Sequence, residues 1–319
     1  MNTTAPAIQV RGLSCHFGDV HAIDKVSFSV QPGELFGLVG PDGAGKTSLL
    51  RMLAGVLNPN GGDAEFHGVS VVRDAEVVKQ MIAYMPQRFG LYTDLTVQEN
   101  LDFYADLYGV TPAERGPRLE RLFHFSALEP FKNRLAGALS GGMKQKLALS
   151  CALIHLPKIL LLDEPTFGVD PISRRDLWLI VHEMVEEGVT AVVSTSYMDE
   201  AERFDRVALL HAGRVLALDT PIMLQQSLDG QMLMVEVTDL RAARDLLSHH
   251  AQVRTVSLFG DKLHVIVDSA DIDVPAIKQY LQSADIQVLS MLPAEASMED
   301  VFIHRMGGSH VIEQTRNAT

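Results

Sequence analysis

Two cysteines in 319 residues, Cys15 and Cys151, are too few and too far apart to build a disulfide framework. They read as reduced, partly buried thiols of a cytosolic protein. Long apolar stretches are also missing. The longest, within KILLLDEP and VTAVVST, fall far short of the ~20 residues that a membrane helix needs. The chain is therefore expected to reach a membrane only through a partner. Its first residues, MNTTAPAIQV, lack the basic segment and apolar core of a secretory signal. Basic residues are outnumbered 27 to 40, for a formal charge of −13, and that acidic balance argues against nucleic acid as a partner. No low-complexity tract or clear internal repeat interrupts the sequence.

What remains is material for about two domains, with 47% hydrophobic residues to bury. From Ile8 to about Pro221, short apolar strands such as VHAIDKVSFSV, GELFGLVG and KILLLDEP alternate with amphipathic helices. In TVQENLDFYADLYG, Thr96 and Glu99 form a capping box that opens a helix. These patterns predict an α/β domain over residues 1–222, with a parallel-sheet core and a helical insertion at about 92–156. Beyond Pro221 the order becomes βαββαβ: QMLMVEVTD, RAARDLLSHH, VRTVSLFGDKLHVIVD, PAIKQYLQSA and IQVLSML. That order predicts a small ferredoxin-like α+β domain over 230–305, followed by a polar tail over 306–319.

GPDGAGKTS, residues 40–48, matches G-x-x-x-x-G-K-[ST] between a predicted strand and a predicted helix. Gly40, Pro41, Asp42, Gly43, Ala44, Gly45, Lys46, Thr47 and Ser48 would form a loop that wraps a phosphate at a helix start, with backbone N–H groups from every residue but Pro41 available to it. Lys46 would reach the β- and γ-phosphates, and Thr47 would ligate Mg²⁺. KILLLDEP then delivers Asp163 and Glu164 to a strand end. Asp163 is suited to hold Mg²⁺ through water, and Glu164 to orient the attacking water as a base. Alone, such a pair is more often a helix cap; the phosphate loop in the same chain reverses that reading. In LSGGMKQKLALSCAL, Ser140, Gly141 and Gly142 open a second helix whose free N–H groups also face an anion.

With these three motifs the sequence resembles the ATP-binding cassette family over roughly residues 8–220, with LSGGM as the signature motif. The resemblance implies a head-to-tail dimer of cassettes, with ATP and Mg²⁺ held between the phosphate loop of one and the signature motif of the other. It also implies roles for single residues. Phe17 fits the aromatic that stacks on adenine. Gln87 in YMPQRFGLY fits the Q-loop glutamine, which contacts Mg²⁺ or the attacking water. Asp170 in TFGVDP fits the D-loop aspartate that crosses the dimer interface, although a turn-forming Asp before Pro171 would look the same. ASMEDVFI and SYMDEAE resemble cassette subunits serving ABC-2-type exporters.

The expected function is thus an ATPase subunit at the cytoplasmic face of a membrane. It would act with integral-membrane permease subunits and a second cassette, identical or not. The rivals are a soluble cassette acting on ribosomes and a regulatory cassette with weak hydrolysis. Phe89, Leu91 and Tyr92, apolar residues after Gln87, are expected to receive a short helix of the permease, and ASMEDVFI to pack back on a cassette. One position departs from the family. Where most cassettes carry a histidine that contacts the γ-phosphate, this chain has Ser196, which predicts slow but genuine turnover.

Overall fold

The computed structural model describes residues 5–88 and 90–306. It divides into two compact units: residues up to 200 with 204–215, and 201–203 with 216 onward. The first opens with a hairpin of β1 (Ile8–Phe17) and β2 (Val20–Val30), then β3 (Leu35–Val39) and α1 (Lys46–Leu53). β4 (Gly61–Phe66), β5 (Val69–Ser70), α2 (Ala75–Met81) and β6 (Ile82–Met85) follow. The helical stretch contains α3 (Val97–Leu107), α4 (Pro112–Ser126) and α5 (Gly141–Leu153). β7 (Ile159–Asp163), α6 (Pro171–Glu186), β8 (Thr190–Thr195), β9 (Arg206–His211) and β10 (Arg214–Asp219) complete the order, and the unit boundary falls within β10.

Two sheets are built from these strands, in the orders β2-β1-β4-β5 and β10-β9-β3-β8-β7-β6. LFGLV, ILLLD and TAVVST are buried at every residue, as expected of parallel strands covered on both faces. VHAIDKVSFSV is different, and its place in the parallel core needs correction. It pairs antiparallel with β1 in the separate four-stranded sheet. The signal lay in its alternation: Val26, Phe28 and Val30 are buried while Ser27 between them is exposed, the pattern of a sheet with one wet face.

Local chemistry fixes the helical stretch. Thr96 accepts from the Glu99 amide at 3.2 Å, and Glu99 accepts from the Thr96 amide at 2.8 Å. Buried Asn100 donates to the carbonyls of Tyr92, Leu95 and Thr96 and accepts from the Tyr92 amide. Four bonds leave that buried amide satisfied and pin the turn entering α3.

The second unit contains α7 (Pro221–Gln226), β11 (Gln231–Val237), α8 (Leu240–Leu247), β12 (Val253–Phe259) and β13 (Lys262–Val267). It ends with α9 (Ala270–Ser283), β14 (Val288–Ala294) and α10 (Met298–Arg305). The sheet order β12-β13-β11-β14, antiparallel throughout, is the split βαβ arrangement of ferredoxin-like folds. Leu233, Val235, Leu263 and Val265 face a core shared with Leu247 and Leu281 of the two helices. ASMEDVFI is anchored inside this unit. Asp300 closes a capping box with Ser297, and both its oxygens lie 2.9 Å from His264 Nδ1. Burial disfavours the Asp300 charge, but hydrogen bonds from His264 and Ser297 outweigh it and hold the carboxyl below its ordinary value. The polar tail from 307 lies outside the described residues, as does Phe89.

Helix α6 offers an internal control for the packing. Leu177 is buried and Leu179 is 60% exposed. Leu177→Ala is expected to cost about 2–5 kcal/mol, and Leu179→Ala to change stability by no more than about 0.5 kcal/mol. Denaturant unfolding read by Trp178, the sole tryptophan and itself buried, checks both values in the first unit.

Candidate active site

The site is assembled where three parallel strands end at one level. Val39 of β3 pairs with Thr195 of β8, and Ser194 of β8 pairs with Asp163 of β7. The Gly40 amide donates to the Thr195 carbonyl at 3.2 Å as the chain leaves β3. Residues 40–45 then arch over into α1. Gly43 and Gly45 have φ of 78° and 105°, values that side chains resist. From outside the loop, the Gly213 amide donates to the Ala44 carbonyl at 3.0 Å, so the turn after β9 braces it.

Lys46, the first residue of α1, is buried and points back under the loop. Its Nζ lies 2.7 Å from the Gly40 carbonyl, 3.0 Å from the Pro41 carbonyl and 2.9 Å from Glu164 Oε1. The other oxygen of Glu164 accepts from Gln87 Nε2 at 3.2 Å. Glu164 is a non-glycine residue at φ 48°, a conformation that costs about 1–3 kcal/mol and persists where surroundings enforce it. Here its amide is held by the Ser194 carbonyl and the Ser194 hydroxyl.

Thr47 and Ser194 both donate to Asp163 Oδ1, at 3.1 and 2.8 Å. Asp163 Oδ2 is buried and has no hydrogen-bond partner among the described residues. An orphaned carboxylate oxygen beside a threonine hydroxyl suits a hard cation that takes oxygen ligands, so Asp163, Thr47 and Gln87 fit Mg²⁺. A cavity of about 630 Å³ opens above this cluster, lined among others by Lys46, Thr47, Ser48, Asp42, Gln87 and Glu164. The cavity joins a helix N-terminus and a buried ammonium, which suits a polyphosphate. An incoming phosphate would displace Glu164 from Lys46 and leave that carboxylate beside Gln87, free to take a proton from water.

The other sequence candidates stand apart from this cluster. Phe17 ends β1 and is 54% exposed; the cavity wall there consists of Val20, His21 and Ala22 from β2. Ser196 lies just past β8, half-buried, and does not line the cavity. Ser140 caps α5 through the Met143 amide, and Asp170 caps α6 through the Ser173 amide. That backbone N–H, with the Ser173 hydroxyl, holds the Asp170 carboxyl below its ordinary value. Gly142 meets Ser173 so closely that a Cβ there would sit 2.1 Å from its Oγ, so α5 and α6 start side by side. Sequence reasoning missed Ser194, Phe167 and Ala212. For Ser194 a signal existed, since two hydroxyls, Ser194 and Thr195, close an otherwise apolar run.

The family model described as ABC transporter matches residues 23–167. The chain is 41% identical over 317 residues to a probable multidrug ABC transporter ATP-binding protein of Escherichia coli (strain K12), covering 98% of this chain and 54% of that protein. It is 32% identical over 306 residues to a Nod factor export ATP-binding protein of Ralstonia nicotianae, covering 95% of each. The chain thus spans about half the length of the first relatives it matches and nearly all of others. Among solved structures, a dimeric post-hydrolysis state of an ATP-binding cassette bound to ADP and Pi is similar. It has a TM-score of 0.61 and 25% identity over 67% of this chain and 98% of that one.

The two glycines of the loop differ in a measurable way. A Cβ on Gly45 would lie 2.5 Å from the Ala22 carbonyl oxygen, whereas Gly43 faces open space. Gly45→Ala is expected to abolish nucleotide binding. Gly43→Ala carries only the left-handed backbone cost of about 1–2 kcal/mol, which weakens binding by about tenfold or a little more. Titration with a fluorescent ATP analogue, with Trp178 emission as the folding control, checks the contrast.

Proposed function

The chain belongs to the ATP-binding cassette transporter family, and from that premise we propose that it is the ATP-hydrolysing subunit of an ABC-2-type membrane exporter. The observation that carries this reading is the buried Lys46–Glu164 pair at 2.9 Å, set at the foot of the phosphate loop with Gln87 on the carboxylate's other oxygen. Lys46 binds the β- and γ-phosphates once Glu164 releases it. Asp163, Thr47 and Gln87 would hold Mg²⁺, which would supply neutralisation of phosphate charge. Glu164 accepts a proton from the attacking water, and Gln87 orients both. Glu164 stays within reach because Ser194 holds its backbone.

Ser140, Gly141 and Gly142 open α5 away from the cavity lining. We therefore assign them to the nucleotide of a second cassette, as the dimeric relative bound to ADP and Pi suggests. Asp170, at the neighbouring helix start, belongs to the same interface. Among the described residues no helix is long and apolar enough to cross a membrane; we assign the passage of cargo to integral-membrane permease subunits. Leu91, half-buried, and Tyr92, 47% exposed with its ring 4.6 Å from that of Phe103, are the described residues we assign to their docking, with the cassette on the cytoplasmic face. The relatives' names, multidrug and Nod factor export, support an export role, and we assign the cargo to the drug, lipid or glycan class.

A second reading, a weakly hydrolysing cassette, is favoured by Ser196. A serine is too short to reach the γ-phosphate as a histidine would, and phosphoryl transfer depends on positioning and electrostatic stabilisation. Lys46→Ala should abolish turnover. Glu164→Gln should retain ATP binding, lower turnover by about 10²–10⁴ and shift the protein to a dimer in gel filtration with ATP. An unchanged rate would remove Glu164 from the chemistry. Ser196→His should raise kcat with little change in ATP affinity; an equal or lower rate in a folded protein would mean that Ser196 imposes no deficit.

A further inference from the structure

We propose that Glu200 is a positioning residue, which fixes the loop following the catalytic carboxylate and the segment carrying Ser196 against helix α6. The proposal rests on the reading that Glu164 is the base. Glu200 is 1% exposed, yet nothing in the chemistry above uses it. Its Oε2 accepts from the hydroxyls of Thr195, at 2.6 Å, and Thr166, at 3.1 Å. Its Oε1 accepts from Trp178 Nε1 at 3.0 Å. Arg174, one turn into α6, brings Nε to 3.7 Å from the same oxygen and lies 4.1 Å over the Tyr197 ring.

The origins of these donors matter more than their number. Thr166 follows Glu164 by two residues, and Thr195 immediately precedes Ser196. Trp178 and Arg174 both belong to α6, the helix that Asp170 caps. A single carboxylate therefore joins the end of β8, five residues before it, to the loop after Glu164 and to helix α6. Thr195 extends the link further: its hydroxyl accepts from the Tyr197 amide at 3.0 Å, and its carbonyl from the Gly40 amide at the root of the phosphate loop.

A well-packed apolar side chain would stabilise this interior at least as well as a buried carboxylate, whose desolvation offsets most of what its partners return. The geometric role is what an apolar residue lacks. Glu164 sits in a left-handed backbone conformation that its surroundings must enforce, and the Thr166–Glu200 bond restrains the loop directly after it. A shift of about 1 Å in a catalytic group costs up to about 10²-fold in rate.

The test uses the near-isosteric Thr166→Val, which removes its bond to Glu200, and Thr195→Val, which removes its bonds to Glu200 and to the Tyr197 amide; both leave Glu200 its remaining partners. Each is expected to lower kcat about tenfold, with KM for ATP within about twofold of wild type. Trp178 supplies the control for mere destabilisation, since the chain has a single indole N–H. Its resonance should stay at the wild-type position in both threonine variants and move in Glu200→Gln. Glu200→Gln should keep most of the turnover. Its amide oxygen can face Trp178 while its NH₂ donates to the two hydroxyls. Unchanged kcat in both threonine variants would overturn the proposal, as would a fall in kcat that only tracks loss of folded protein. If Glu200→Gln fails to fold, the threonine variants still decide. A wild-type protein without turnover that Lys46→Ala abolishes would sink the ATPase reading itself. Active wild type with indifferent threonine variants sinks only the role of Glu200.

Discussion

The parallel pairing of β8 with β3 on one side and β7 on the other is the constraint from which the site follows. It ends three strands at one level, so that Val39, Thr195 and Asp163 are neighbours although they lie far apart in sequence. Only then can the Gly40 amide bond the Thr195 carbonyl, and Ser194 hold both the Asp163 carboxylate and the Glu164 backbone. A slip of one residue would turn every side chain on β8 to the other face and scatter the cluster. The buried polar groups at the strand ends oppose that slip, because Ser194, Thr195 and Asp163 would lose the partners that satisfy them.

On that scaffold the charges are arranged to be exchanged. Lys46 and Glu164 are both buried and satisfy each other at 2.9 Å, since an unpaired charge of either sign would be costly there. In the proposed function phosphate would replace carboxylate on the lysine, and the released carboxylate already lies beside Gln87. The strained backbone at Glu164 and the orphaned Asp163 oxygen are departures from local rules, and such departures concentrate at functional sites.

The second unit is held by a different kind of contact. Its sheet is covered on one face by α8 and α9 through apolar packing, whereas α10 is fastened by the buried His264–Asp300 pair. Asp300 of ASMEDVFI is thus spent on a helix cap and a hydrogen bond with His264. That explains why a polar residue belongs in the middle of a segment that is otherwise buried at Met298, Val301 and Phe302.

Much was legible in the residue order, because some features are local. The phosphate loop needs glycines and a lysine at fixed spacing, the capping box at Thr96 needs only three residues of separation, and βαββαβ is an order of periodicities. Sequence by itself therefore determined the family, the loop, the acidic strand end and the second domain's layout. The tertiary structure alone decided what depends on proximity between distant segments. It set β2 in an antiparallel sheet, a choice its alternation hinted at. It brought Ser194 to Asp163, the β2 residues and Ala212 to the cavity wall, and Glu200 to Thr166, Thr195 and Trp178. It also set Phe17 and Ser196 outside the cavity lining. The physical reason is that a hydrogen bond or a shared wall requires atoms within a few ångströms, and the spacing of residues along a chain does not fix which strand ends will meet.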